Sequence, residues 1–507
     1  RRDQRALPHE TIDGADARDF DDAVSATPEK AGYRVWVSIA DVSHYVRPGS
    51  GLDKSARARS TSVYFPDRVL PMLPERLSND LCSLRPDRAR FAMTCEMRID
   101  GLGRVDDVGV YPSVIRSAGR LTYEQVQRAY DEQDGVTDVR GDGSADAGPA
   151  ERHRDLLLRL REAARIFRRQ RRSRGALELE LPESKVNLDS NGVAVGIARR
   201  ARNEAHRVIE DLMLGANEAV ARRTEEHDWP ALYRVHEAPN PDRLAAAAQW
   251  SARFGIALDV DEVDEPQNLA AFVDAASELP AADVIHMLTL RSMAQARYSP
   301  ENLGHYGLAS DAYLHFTSPI RRYPDLFVHR ALKAAAARQR IAVDLDDLGA
   351  HCSAQERSAM DAERTVVRLM ECQVAQRFIG STSEVVVTGV HHVGAFVRAD
   401  RPLVEGLVPV RAIGNALGEY MELDEAAMAF VAPRSGRRLA VGDRFVARLA
   451  GVQLSRRHID FEPVDLDGDD GAEPVKTPRK KQSAQRPRKE KSGTTRRPKT
   501  PSRRRPS

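Results

Sequence analysis

The run Thr11-Ile-Asp-Gly-Ala-Asp-Ala-Arg-Asp-Phe-Asp-Asp-Ala-Val24 crowds carboxylates into a loop-like stretch. Asp13, Asp19, Asp21 and Asp22 converge on one point if the backbone folds back at Gly14. Like charges that close repel strongly in a low-dielectric site, so something cationic must offset them. An all-oxygen donor set favours Mg²⁺ or Mn²⁺ over zinc. On spacing alone, a solvated acidic turn or a single calcium loop fits the same residues. A second run, His315-Phe-Thr-Ser-Pro-Ile-Arg-Arg-Tyr-Pro-Asp-Leu-Phe-Val-His-Arg330, holds two adjacent guanidiniums between Pro319 and Pro324. Fixed in a rigid segment, Arg321 and Arg322 can clamp a phosphate. Acidic loop and basic pair together make the two halves of a phosphodiester site.

Such groups need rigid supports. Tyr33–Ala40 predicts a strand with Val35, Val37 and Ile39 on one face, which would stiffen the neighbouring loop. The prolines of 60–74 imply an extended path that presents Tyr64 for base stacking and leaves Phe65 for the core. Phe91–Ile99 predicts another strand, Asp131–Arg152 a surface loop, and Gly175–Pro182 an alternating strand. Helices are expected over His153–Arg171, with its arginines solvated or on RNA, over Asn203–Asn217, and from Pro324 to near Gly380. His236 lacks a Cys or His at ligand spacing, which argues against zinc. From Ser383 onward, short strands around Val385, Val387, Gly394–Val397, Gly406–Pro409, Val441–Leu449 and Arg457–Phe461 suggest a small barrel.

The acidic run, Ile39–Val46, Leu77–Pro86, Leu232–Pro239 and above all His315–Arg330 resemble the ribonuclease II/R family, closer to the ribonuclease R type. The resemblance covers residues 7 to about 463. It implies an α+β fold: a mixed-sheet RNB catalytic domain with surrounding helices over 1–380, an all-β OB-fold RNA-binding domain over 381–465, and a disordered Lys/Arg-rich tail over 466–507. It implies a metal-dependent, hydrolytic 3'-to-5' exoribonuclease that processively releases 5'-nucleoside monophosphates from single-stranded RNA. Asp13, Asp19, Asp21 and Asp22 would hold metal, with Asp21 the most sensitive position. Arg321 aligns with the catalytic arginine, Tyr64 with the base-stacking tyrosine, and Glu210 with a residue near the 3'-terminal nucleotides. Where relatives carry the opposing aromatic of the base clamp, Leu177 and Leu179 stand instead. In the barrel, Phe396 and His392 are the candidates for stacking on bases. Two alternatives compete: a non-catalytic RNA-binding protein that retains the fold, and a DNA-directed two-metal nuclease.

Composition sets outer limits. The 507 residues suffice for several domains, and a hydrophobic fraction of 41% is ordinary for a globular chain. No apolar run reaches the roughly 20 residues a membrane span needs, and Arg1–Arg5 has no apolar signal core after it. The missing initiator Met suggests a fragment or a processed product. Members of the resembling family usually begin with cold-shock-type domains; with none ahead of Arg1, either the chain is truncated or it works with fewer RNA-gripping modules. Cys82, Cys95, Cys352 and Cys372 form no metal or disulfide pattern, and a reducing cytoplasm and a monomer are expected. The net charge of +2 hides an asymmetry. Residues 474–507 hold 14 Lys and Arg against one Glu, a charge of +13, which leaves −11 on the rest. A tail so poor in apolar residues cannot build a core, and its charge suits structured RNA or acidic partners.

Overall fold

The computed structural model describes residues 1–466 except 137–147, 180–183, 200–201, 280–281 and 426. The expected disordered tail thus lies outside the described residues, Leu466 excepted. The centre of the fold is a mixed sheet of β1 (Arg2–Asp3), β2 (His9–Asp13), β3 (Asp22–Glu29), β4 (Gly32–Ala40), β7 (Ala89–Asp100) and β8 (Val105–Thr122). A separate hairpin joins β5 (Val63–Tyr64) to β6 (Val69–Leu70). Strand β8 is long enough to serve three partners, β1 among them in parallel at Ser113 and Val114. Its first part pairs antiparallel with β7 and its end pairs parallel with β2, so the pairings β2-β3-β4-β7-β8 return to β2.

β4 forms where Val35, Val37 and Ile39 alternate, and all three are buried, as are Trp36, Ser38 and Ala40 on the other face. A strand covered on both sides holds the adjoining Asp loop rigidly. One face packs against helices Arg154–Ser173 and Glu204–Glu226 through Leu156, Leu160, Ala164, Phe167, Val208, Leu212 and Ala216. Each apolar set recurs at helical spacing, and Asn203 caps the second helix by accepting from His206 N–H. The other face packs on Phe20, Leu84, Ile320, Tyr323, Leu326 and Phe327, directly behind the acidic loop.

After Arg330 the chain runs into a helix of 31 residues, Leu345–Ala375, N-capped by Asp344. Beyond it, Thr382–His391, Gly394–Asp400, Leu403–Pro409, Arg444–Gln453 and His458–Asp465 close into a five-stranded barrel. The barrel shares its core with helices Pro241–Ser251, Pro266–Ser277 and Ala282–Ser292, and Trp250 Nε1 donates to Val441 C=O at 3.0 Å. Among the described residues, no helix is long and apolar enough to cross a membrane.

Several local expectations need correction. Gly175–Leu179 is not a strand: the Ala176 N–H caps the preceding helix at Arg171 C=O, and Leu177 N–H bonds Gly307 C=O, so no ladder forms. Leu177 and Leu179 instead pack against the core shared with the barrel. Asp131–Arg152 is helical at both described ends, over Tyr123–Gln133 and Gly148–Arg152. Phe65 is only half-buried. Arg169 and Arg172 of helix Arg154–Ser173 are exposed as expected, but other arginines here turn inward to carboxylates. Arg168 and Arg171 meet Asp211, Arg174 meets Glu218, and Arg161 meets Asp134.

Candidate active site

β2 ends at Asp13 and β3 begins at Asp22, so the sheet itself fixes the two ends of the acidic loop. Between them the chain turns at Gly14, with Ala17 N–H donating to Gly14 C=O at 3.1 Å. Asp19 and Asp21 then flank Phe20. In extended backbone, neighbours point to opposite sides. Phe20 is buried in the apolar cluster, while Asp19 Oδ2 lies near the Tyr64 hydroxyl and Asp21 Oδ1 meets Ile320 N–H. Arg120, from the end of β8, caps the first half of the loop. Its Nη2 donates to the carbonyls of Ala15, Ala17 and Gly14 at 2.6, 3.3 and 3.4 Å.

Asp21 is the buried member of the set. Its Oδ1 accepts from Ile320 N–H at 2.9 Å, and its Oδ2 stands 4.0 Å from Arg321 Nε. Burial pushes the Asp21 carboxyl well above its usual range, against the pull of Arg321 and the Ile320 amide. Burial likewise raises Asp13, helped by the charges of Asp22 and Asp19, and raises Asp22 against Arg321. These shifts describe carboxylates short of positive charge. The set fits a hard divalent cation by donor chemistry, being all oxygen. It is not a finished cage: among the described residues, no three His, Cys, Asp or Glu side chains are arranged to hold an ion unaided.

Arg321 belongs to a segment that pairs like a strand. Ser62 N–H donates to Arg321 C=O at 2.9 Å, Tyr323 N–H to Ser60 C=O at 2.8 Å, and Thr61 bridges Arg322. That pairing points successive side chains to opposite sides. Arg321 faces Asp21, whereas Arg322 turns away to Asp325 at 2.8 Å. The two guanidiniums expected to share one phosphate therefore do not face the same point. The same ladder leads into β5, where Tyr64 is exposed, its hydroxyl 3.4 Å from Asp19 Oδ2 and its N–H on Glu363 Oε1 at 2.6 Å.

The remaining candidates lie apart from this set. Glu210 is exposed and ion-paired with Arg202. Phe396 and His392 are exposed on the barrel, where Phe396 lines a groove of about 490 Å³ with Arg368, Arg398, Arg457 and His458. His236 is engaged by Ala294 C=O and Gly307 N–H. Sequence reasoning missed Arg120, Ser83, Glu363 and the Ile320 amide, because each acts through backbone atoms or from a distant segment.

The RNB domain family model matches residues 1–338. Ribonuclease R of Escherichia coli (strain K12) is 38% identical over 477 residues, which cover 90% of this chain and 57% of that protein. Ribonuclease R of Thermotoga maritima is 39% identical over 478 residues, covering 92% and 65%. The chain thus spans less than two thirds of the length of these curated relatives. A solved structure of Mycoplasma genitalium RNase R in complex with ribose methylated single-stranded RNA superposes with a TM-score of 0.83 at 26% identity, covering 92% of this chain and 72% of that one.

Proposed function

The chain belongs to the RNB-domain family, and from that premise we propose that it is a metal-dependent 3'-to-5' exoribonuclease acting on single-stranded RNA. The observation that carries this reading is the bond from Ile320 N–H to Asp21, which joins the acidic loop to the Arg321 segment across 299 residues of sequence. When bound at Asp13, Asp19, Asp21 and Asp22, Mg²⁺ or Mn²⁺ supplies an activated water and neutralises charge developing on the phosphate. The residues supply everything else. Arg321, with Ser318 Oγ accepting from its Nη2 at 3.2 Å, is braced to orient the scissile phosphate. Asp21, buried beside it, aligns that guanidinium with the carboxylates. Tyr64 stacks on a base near the 3' end, at the rim of the same site. The strand is led in along the barrel groove, where Phe396 offers a ring and Arg368, Arg398 and Arg457 offer charge, while His392 is exposed on the barrel outside that lining. Arg322 and Glu210, each held in an ion pair, serve RNA from outside the reacting centre.

The test is end-labelled single-stranded RNA incubated with Mg²⁺, with and without chelator. Ladders that shorten stepwise to a short end product, only without chelator, are expected. An intact substrate would favour the non-catalytic RNA-binding alternative, and equal cleavage of a matched DNA would favour the DNA-directed one. In the same assay Tyr64→Ala should release a longer end product, because a stacking platform is worth about 1–3 kcal/mol per base. An unchanged end product at an unchanged rate would remove Tyr64 from the RNA path.

For the tail, we propose RNA affinity without chemistry. Deleting residues 474–507, with their charge of +13, should flatten the salt dependence of RNA binding. An unchanged slope in log affinity against log salt would show that the tail makes no phosphate contacts. The four cysteines, all free and buried, suit a cytoplasmic setting.

A further inference from the structure

We propose that Ser83 is a positioning residue that splints the acidic loop and sets where Asp19 and Asp21 stand. Its fully buried hydroxyl accepts from Phe20 N–H at 3.1 Å and donates to Arg18 C=O at 2.9 Å. One residue on, Leu84 N–H donates to Phe20 C=O at 3.0 Å. Three consecutive peptide groups, from Arg18 to Asp21, are therefore pinned by two residues of another segment. Two of the four clustered carboxylates ride on exactly those peptides. The splint is itself anchored: Arg90 donates Nε to Ser83 C=O at 3.0 Å and Nη2 to Asp80 C=O at 3.1 Å.

The loop needs this support because it crowds four carboxylates, which repel one another at close range. Arg120 restrains the first half, over Gly14–Ala17, and Ser83 restrains the second. A hydroxyl is the smallest group that donates and accepts at one point. Alanine there leaves the buried Phe20 N–H without its partner, removes the donor to Arg18 C=O, and frees the peptides that aim two carboxylates. The proposal rests on the metal-dependent reading given above.

The test uses the full chain as wild type, Ser83→Ala, Ser83→Thr and, as a control, Ser113→Ala. Ser113 is buried in the same sheet, with its hydroxyl 2.7 Å from Thr94 Oγ1, and makes no bond to the loop. The readouts are Mn²⁺ affinity by calorimetry, the rise in Tm on adding Mn²⁺, and RNA affinity in chelator. Groups that orient metal ligands from behind typically change metal affinity 10–100-fold. Ser83→Ala should weaken Mn²⁺ binding by about that factor, shrink the Tm rise, and leave chelator-state RNA affinity unchanged. Ser83→Thr, which keeps the hydroxyl, should bind Mn²⁺ as wild type does, and Ser113→Ala should lower Tm without touching Mn²⁺ affinity. Wild-type Mn²⁺ affinity in Ser83→Ala, or an equal loss in Ser113→Ala or Ser83→Thr, overturns the proposal. If Ser83→Ala does not fold, Ser83→Cys carries the same expectation, since a thiol is a weak donor and acceptor. A wild-type chain that binds no Mn²⁺ and hydrolyses RNA in chelator defeats the underlying metal reading instead, and the splint with it.

Discussion

Asp21→Asn should keep the fold and RNA binding but lose hydrolysis, by on the order of 10⁴-fold in single-turnover rate, the scale seen when a catalytic-site carboxylate is neutralised. The substitution is nearly isosteric. The amide oxygen can still accept from Ile320 N–H, so the join between the two halves of the site survives. What disappears is a negative charge in a buried position, 4.0 Å from Arg321 Nε. The new amide N–H groups would face a guanidinium that has no acceptor to offer. RNA affinity in chelator should hold or tighten, because one fewer carboxylate opposes the phosphates. Relieving like-charge crowding should leave Tm level or raised. Normal turnover would sink the catalytic assignment of this loop. A solvated acidic turn predicts that very result.

Asp211→Ala should destabilise the chain by about 3–5 kcal/mol, the cost of leaving a buried ion pair without one partner. Asp211 is nearly inaccessible on helix Glu204–Glu226 and takes Arg168 at 2.8 Å and Arg171 at 2.5 Å. Burial outweighs both guanidiniums and holds its carboxyl above the usual range, so the cluster is dominated by desolvation. Removing it strands Arg171 and leaves Arg168 with Glu204 alone, between the helices that back the sheet. Urea midpoints of Asp211→Ala and wild type measure the effect. A loss below about 1 kcal/mol, the worth of an exposed pair, would mean that both arginines find water and that the interface is looser than its packing suggests.

Which features could be read ahead of the structure follows from where their causes lie. The acidic loop and the Pro319–Pro324 segment carry their geometry locally, in a buried Phe20 between two aspartates and in prolines that stiffen the chain. The amphipathic helices were equally plain, since Leu156, Leu160, Ala164 and Phe167 recur at helical spacing. Gly175–Leu179 misled because alternation is only half of what a strand requires. The other half is a pairing partner, and Gly307 accepts from Leu177 without forming a ladder. The facing of Arg321 against Arg322 depends on Ser60–Ser62, some 260 residues earlier in the chain. The helix arginines looked like a surface because their carboxylate partners, Asp211 and Glu218, sit on the next helix. Ser83 gave no signal at all: its partners are backbone atoms, which every residue possesses.

The Ile320–Asp21 bond also governs the order of assembly. Closing a loop of 299 residues costs roughly 5 kcal/mol of chain entropy on a logarithmic scale. That contact, with the Ser62–Arg321 pairing beside it, therefore belongs to the late, non-local part of folding. During synthesis every aspartate of the loop leaves the ribosome long before the arginine that faces it. A nascent chain that ends before Arg321 carries the acidic loop without its basic counterpart. On the proposed reading, hydrolytic competence would arrive only with this long-range closure.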